Sequence, residues 1–254
     1  MMRIFFLILV SFCFVKSAFA EVKIEEVQLQ KGAFSVAGCD DASQCICESD
    51  IKYPKISGLK DSAKENAINE SLKKSADQVK CEGETIKNIE KQENNFSITH
   101  NYETSYQSAD ILALKFSDFA FEGGAHGNGT VEGAIIDIVN EKILTVNDIF
   151  NEKDFSDINL FIYNALLPDS EGIFRDEIEN RKASFIKEGR CNGCTIILDK
   201  KGLNVVFQTY EVAPFSSGNP AITIPIKYVS HPAIKTAISE IEKNKTVPES
   251  DKKQ

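Results

Sequence analysis

Hydrophobic and polar positions change rhythm several times along the 254 residues. Between Ala63 and Val79 the apolar side chains Ala63, Ala67, Ile68, Leu72, Ala76 and Val79 recur at the spacing that gathers them on one helix face. Ser62 and Glu65 form an S-x-x-E capping box at its start. Phe155 to Leu167 and Ile173 to Phe185 carry the same period and are parted by Pro168-Asp169-Ser170. His231 to Lys243 predicts a closing helix, with Pro232 in the first turn where a missing N–H is tolerated.

Elsewhere side chains alternate in the manner of strands. Phe96, Ile98, His100, Tyr102, Thr104 and Tyr106 share one face, and Leu112, Leu114 and Phe116 continue the pattern in the next strand. Val22 to Val36 predicts one or two strands broken near Lys31-Gly32. Cys39 to Ser49 reads as a polar loop, and Ile51 to Ile56 as a short strand that Pro54 assigns to an edge. Thr130 to Val139 is followed by a turn at Asn140-Glu141-Lys142 and a strand at Ile143 to Val146. Thr195 to Leu198 and Leu203 to Tyr210 predict a hairpin, and Ala221 to Val229 a further strand. Strands outnumber helices and mostly follow one another through short turns. The expected fold class is therefore α+β, an antiparallel sheet with helices packed on one face.

The stretch from Phe121 to Phe150 organises the rest. Gly123, Gly124, Gly127, Gly129 and Gly133 crowd together with His126 between two strand-like runs. Such a backbone either takes positive φ or passes close to something else. A second irregular stretch, Gln208 to Gly218, leaves a strand through Pro214 and presents Tyr210 and Phe215.

Composition adds a compartment. Arg3, the apolar run Ile4 to Val15 and Ala18-Phe19-Ala20 follow the grammar of a secretory signal peptide cleaved after Ala20, which implies a periplasmic or secreted protein. That run is short for a bilayer span, and no later run is longer, so no membrane span is expected. The whole chain carries a formal charge of −9. Such a surface disfavours nucleic acid and attracts cationic partners.

Cys39, Cys45, Cys47, Cys81, Cys191 and Cys194 follow the signal segment, and an even set in an exported chain predicts disulfides. Cys191 and Cys194 flank an Asn-Gly turn that brings their Cα atoms within bridging range. The other four pair either as 39–45 with 47–81 or as 39–47 with 45–81. The first closes the smaller loop and is preferred.

Candidate chemistry is sparse. There are three histidines, His100, His126 and His231, and no H-E-x-x-H, G-x-S-x-G or phosphate-cradling loop. Neither a catalytic set, a metal site nor a cofactor is predicted. If the chain did hydrolyse something, His126 would act with Glu122, Glu132 or Asp137.

Two segments carry a family resemblance. FEGGAHGNG followed by IIDIVNEKILTVNDIF is similar to the bacterial extracytoplasmic domain of unknown function that has a GGAHG turn and then G-K-x-L-x-L-x-D-[IL]-F. GLNVVFQTYEVAPFSSG is similar to its closing Y-x-[IV]-A-P-[YF]-x-x-G. Asn140-Glu141-Lys142 departs from its Gly-Lys turn. The N-terminal half, with IKYPKISGL and the long helix, resembles the domain that precedes it in PdaC-type peptidoglycan deacetylases, and the same pair forms the outer part of a lysozyme-sensing anti-sigma factor. Between the signal segment, 1–20, and a polar, charged tail over 244–254 that is expected to be disordered, the resemblance implies a PdaC-like half over 21–107 and a GGAHG half over 108–243. It implies a non-enzymatic cell-envelope binding protein whose partner is lysozyme, another cationic envelope protein or peptidoglycan. The contacts expected to make that surface are Gly123, Gly124, His126, Gly127, Tyr210, Glu211, Pro214, Phe215 and Gly218.

Overall fold

A computed structural model describes residues 22–35, 46–81, 96–121, 125–167, 173–180, 182–184 and 194–246. A six-stranded sheet has the order β1-β2-β3-β4-β5-β6, and a three-stranded sheet the order β7-β8-β9. The large sheet comprises β1 (Lys23–Ser35), β2 (Ile46–Ser57), β3 (Phe96–Gln107), β4 (Ile111–Phe121), β5 (Asn128–Asp137) and β6 (Lys142–Ile143). The small one comprises β7 (Thr195–Asp199), β8 (Gly202–Val206) and β9 (Ala221–Thr223).

The α+β class holds, with one departure from an all-antiparallel sheet: β2 and β3 run parallel from Cys47↔Phe96 to Ile51↔His100. The helix α1 (Ser62–Asp77) lies between them in sequence, and a crossover of that length is what parallel neighbours require. β2 begins earlier than the polar residues Cys47-Glu48-Ser49 suggest, because both β1 and β3 pair with that segment. Pro54 sits on an interior strand, but β3 stops pairing at Ile51, so β2 has no strand neighbour on that side where the proline falls. β1 is one continuous strand with a register shift between Gln28 and Gln30, and Gly32 takes φ +131°.

Helix α1 starts one residue before the predicted position. Asp61, rather than Ser62, is the N-cap, its carboxylate accepting from the backbone N–H groups of Ala63 and Lys64. Glu65 reaches further back and accepts from Leu59 N at 2.9 Å. The helix buries Ile68, Leu72 and Ala76, as its period required. Beside it Cys47 and Cys81 form a disulfide with Cα atoms 5.9 Å apart, the pairing preferred from sequence. Cys39, Cys45 and Cys191 lie outside the described residues.

The C-terminal part holds α2 (Val146–Ile149), α3 (Phe155–Leu166), the short α4 (Arg175–Asn180) and α5 (Lys182–Ser184), and α6 (Pro232–Thr246). The predicted strand Ile143 to Val146 keeps only Ile143 in β6, and α2 begins at Val146. Asp148 accepts from both the N–H and the hydroxyl of Thr145 at 2.9 Å, which closes a turn that β-branched composition had hidden. β9 is likewise shorter than predicted, giving way after Thr223 to a 3₁₀ turn at Ile226–Tyr228. The largest core cluster joins Ile111 and Ala113 of β4 and Ile135 of β5 to Ile158, Leu198, Val205 and Ile234. β7 crosses the face of the large sheet at Gly133, where an added Cβ would stand 2.0 Å from the Ile196 carbonyl oxygen.

Buried polar groups are few and specific. His100 is fully buried, pairs through Nδ1 with Asp118 and stacks on Phe116 at 5.5 Å between ring centroids. His231 Nε2 lies 3.2 Å from Asp137 Oδ2, and Asp137 also accepts from the N–H and side-chain amide of Asn140. Glu141, with φ +55°, occupies the position where the resembled family has glycine.

Candidate functional site

β5 begins just after the glycine-rich loop, and β8 runs out into the Gln208–Gly218 stretch. The two are stitched together by side chains that imitate strand pairing. Gln208 Oε1 accepts from Val131 N at 2.9 Å, and its Nε2 donates to Val131 O at 2.8 Å. Nε2 also reaches Thr195 Oγ1 at 3.2 Å, and Thr209 Oγ1 donates to Gly129 O at 3.3 Å. A side-chain amide thus supplies the donor and acceptor that a neighbouring strand would otherwise provide.

The stitch brings His126 against Tyr210 and Phe215. His126 and Phe215 stack with centroids 4.4 Å apart at 23°. Tyr210 stands 6.2 Å from His126 and 6.1 Å from Phe215. His126 Nδ1–H donates to the Gly127 carbonyl at 3.0 Å, which leaves Nε2 of the neutral ring to accept from the Tyr210 hydroxyl at 3.0 Å. Both ring nitrogens are used within the cluster, while the outer faces stay in water: Tyr210 is 50% and Phe215 37% exposed.

The backbone beneath is constrained. Tyr210 takes φ +65°, which a non-glycine residue adopts at a cost of about 1–2 kcal/mol. The turn holding it there is closed by Glu211 N–H to Gln208 O at 3.1 Å and by Gln208 N–H to Glu211 Oε2 at 2.8 Å. Pro214 precedes a 3₁₀ turn at Phe215–Ser217, and Gly218 ends it with φ +65°. Gly127 is needed for space rather than for φ, since a Cβ there would lie 2.3 Å from the Phe119 ring and 2.8 Å from Ala120 O.

His126, Gly127, Tyr210 and Phe215 therefore meet, with Pro214 and Gly218 shaping the loop that carries Phe215 and Glu211 turned inward as a clasp. Gly123, Gly124 and Glu122 lie outside the described residues. Asp137 stands at the far end of β5, about 30 Å from Asn128 at ~3.3 Å per residue, and is engaged by Asn140 and His231. Glu132 is exposed on the middle of β5. Neither forms a dyad with His126. Gln208 and Phe119 escaped the sequence reading; no periodicity marks an amide that pairs with a strand. Among the described residues, no three His, Cys, Asp or Glu side chains are grouped to hold a metal, and no helix is long and apolar enough to cross a membrane.

Residues 41–129 match the family model described as deacetylase PdaC, and residues 147–227 that of a protein of unknown function, DUF3298. The two matches follow one another along the chain. It is 25% identical over 189 residues to the anti-sigma-V factor RsiV of Bacillus subtilis (strain 168), a match that covers 72% of this chain and 64% of RsiV. A crystal structure of a DUF3298 family member from Bacteroides fragilis aligns over 87% of this chain and 99% of that one, with a TM-score of 0.59 at 15% identity. A DUF3298 family protein from Pseudomonas aeruginosa PAO1 aligns over 85% and 97%, with a TM-score of 0.53 at 16% identity. These two likenesses concern the fold. The aromatic cluster draws His126 from the end of the PdaC match and Tyr210 and Phe215 from the DUF3298 match.

Proposed function

We propose that this chain is a non-enzymatic, exported cell-envelope protein that uses the His126–Tyr210–Phe215 surface to bind a lysozyme-like muramidase, as sensor or inhibitor. The observation that carries the reading is the exposed aromatic cluster itself. Two loops far apart in sequence converge to present Tyr210 and Phe215 on a backbone fixed by the Gln208 stitch and the Glu211 clasp. Rigid aromatic anchors of this kind dominate protein interfaces, because they bury much area while losing little rotamer freedom. The similarity to an anti-sigma factor supports an envelope role, and the lysozyme-sensing pair that the motifs resemble supports the partner. The net charge of −9 favours encounter with a cationic protein. The Cys47–Cys81 disulfide and the signal-like N-terminus support export.

Surface capture of the protein against several lysozyme types, with cytochrome c as a basic control, tests the reading. Binding to at least one lysozyme is expected, weakened about 10- to 100-fold by Tyr210→Ala or Phe215→Ala, with the thermal melt of each variant retained. Equal binding to cytochrome c, or loss of all binding at moderate salt, refutes it in favour of unspecific charge attraction. The exposed Tyr210 and Phe215 rings also suit a sugar face. Co-sedimentation with insoluble peptidoglycan, abolished by the same substitutions, would select that reading instead.

A further inference from the structure

Among the described residues, five large apolar side chains are exposed, and three of them meet one short segment at the start of β5. Tyr210 and Phe215 lie against His126. The third, Phe119 of β4, is 40% exposed and lies against Gly127 and Gly129. Val139 and Leu160 lie elsewhere, on the β5–β6 turn and on α3. Single exposed apolar residues are ordinary, whereas neighbouring ones mark a contact surface.

The position of the Phe119 ring follows from the strands around it. β4 pairs with β5 without a register shift, so Phe119 shares a face with Ile111 and Ala113, the face on which the small sheet packs. Tyr210 and Phe215 follow β8 of that small sheet and so come to the same side. Phe119 stands directly opposite Gly129, and opposed residues share a face, so no cross-strand side chain covers the ring from β5. A Cβ added at Gly129 would find nothing nearer than the Asp118 carbonyl oxygen at 3.5 Å, so that flank is open. The ring tip leans instead on Gly127, where a Cβ would stand 2.3 Å from it. Thr99 is its opposed residue on β3. The Thr209 hydroxyl, one residue before Tyr210, donates to the Gly129 carbonyl and ties the aromatic loop to the residue facing Phe119. The two glycines thus serve one ring, Gly127 as its floor and Gly129 as the gap beside it. Phe119 is held on a regular strand yet left uncovered, as an interface anchor is.

We propose that Phe119 is a further partner contact, and that the space over Gly129 beside its ring receives an apolar side chain of the bound protein. The inference rests on the reading of the His126–Tyr210–Phe215 surface as a protein-binding face, and it extends that footprint from two loops onto the large sheet.

Surface capture against the same lysozymes tests it with two opposite changes. Phe119→Ala removes the ring, whereas Gly129→Val keeps the ring and fills the space beside it with a residue that suits a strand. Each should weaken binding about tenfold, with the thermal melt of Gly129→Val retained, while Leu160→Ala leaves binding unchanged. A ring that only covered the glycines would give a different pattern: Phe119→Ala would lower the melt and Gly129→Val would bind like the parent, which overturns the inference. It is equally overturned if both variants bind like the parent while Tyr210→Ala and Phe215→Ala weaken binding, a result that leaves the reading of the loops intact. It is overturned too if Leu160→Ala weakens binding as much. A parent protein that captures no lysozyme removes that reading and this inference together.

Discussion

Glu141 offers a test in which two physical terms oppose each other within one side chain. It holds φ +55° in the β5–β6 turn, a conformation costing an ordinary residue about 1–2 kcal/mol that glycine would escape. The same side chain is 7% exposed and accepts from the backbone N–H groups of Lys60 at 2.5 Å and Asp61 at 3.2 Å. It therefore clamps the start of α1 to a turn 80 residues away. Hydrogen bonds to a charged group contribute about 1.5–3 kcal/mol each, and Lys60 is exposed enough for water to replace part of that, so the clamp contributes about 2–3 kcal/mol in total. Glu141→Ala loses the clamp and keeps the strain, for a loss of about 2–3 kcal/mol. Glu141→Gly loses the clamp but relieves the strain, for a net loss of about 1 kcal/mol. Glu141→Gln retains an acceptor oxygen and should cost less than Ala. Urea unfolding with the disulfide intact reads these differences as midpoint shifts, about 0.3–0.5 M per kcal/mol for a slope of about 2–3 kcal/mol/M. The expected order of stability is parent, then Gly and Gln, then Ala. A Gly variant more stable than the parent by about 1–2 kcal/mol would show that the clamp contributes nothing. Equal Ala and Gly variants would show that the backbone is not strained.

Other consequences are as direct. Gly133→Ala should abolish folding or destabilise the protein by more than about 3 kcal/mol, since the methyl group meets the Ile196 backbone, whereas Gly129→Ala, with its nearest neighbour at 3.5 Å, should be mild; thermal melts compare them. Reduction of Cys47–Cys81, whose cysteines lie 34 residues apart, should cost about 3–4 kcal/mol, read as a lower urea midpoint in reductant; an unchanged midpoint would refute it. The Lys142 ammonium and the Thr145 N–H and hydroxyl hold the Asp148 carboxyl down to about 2. Because the folded value lies below the usual carboxylate range, this stabilisation is complete above pH ~4 and is lost as pH falls through ~2. Asp148→Asn should thus cost about 1 kcal/mol near neutrality, after allowance for solvent screening, and progressively less as pH falls through ~2, as acid-range melts would show.

How much of this was legible in the sequence depended on how local each cause is. α1, α3 and α6 repeat an apolar face and were readable to within a few residues. Asp61 displaced Ser62 as cap because an aspartate one position earlier met two N–H groups, a choice that composition leaves open. The parallel β2–β3 pairing was hidden because strand composition carries no direction. α2 hid because Ile143, Thr145 and Val146 favour strands, while the Thr145–Asp148 bonds that decide the turn are polar. At the candidate site, motifs singled out His126, Tyr210 and Phe215, but only the fold shows them stacked. The glycines were legible as special, not for which reason. Gly127 and Gly133 prove to be gaps for a ring and for a crossing strand rather than left-handed hinges.

The main core draws Ile111 and Ala113 from the PdaC match and Ile158, Leu198 and Val205 from the DUF3298 match, and β5, between the matches, carries Ile135 into it. The two matched regions therefore share one core. A chain severed between them would present an unpaired strand edge on one piece and an uncovered apolar face on the other. The shared core predicts that the two regions unfold as one unit. A partner seated on the loops beside His126 would therefore raise the unfolding free energy of the distant β1–β2 ribbon as much as that of the loops it touches. Protection from proteolysis at that far end would then serve as a remote gauge of occupancy.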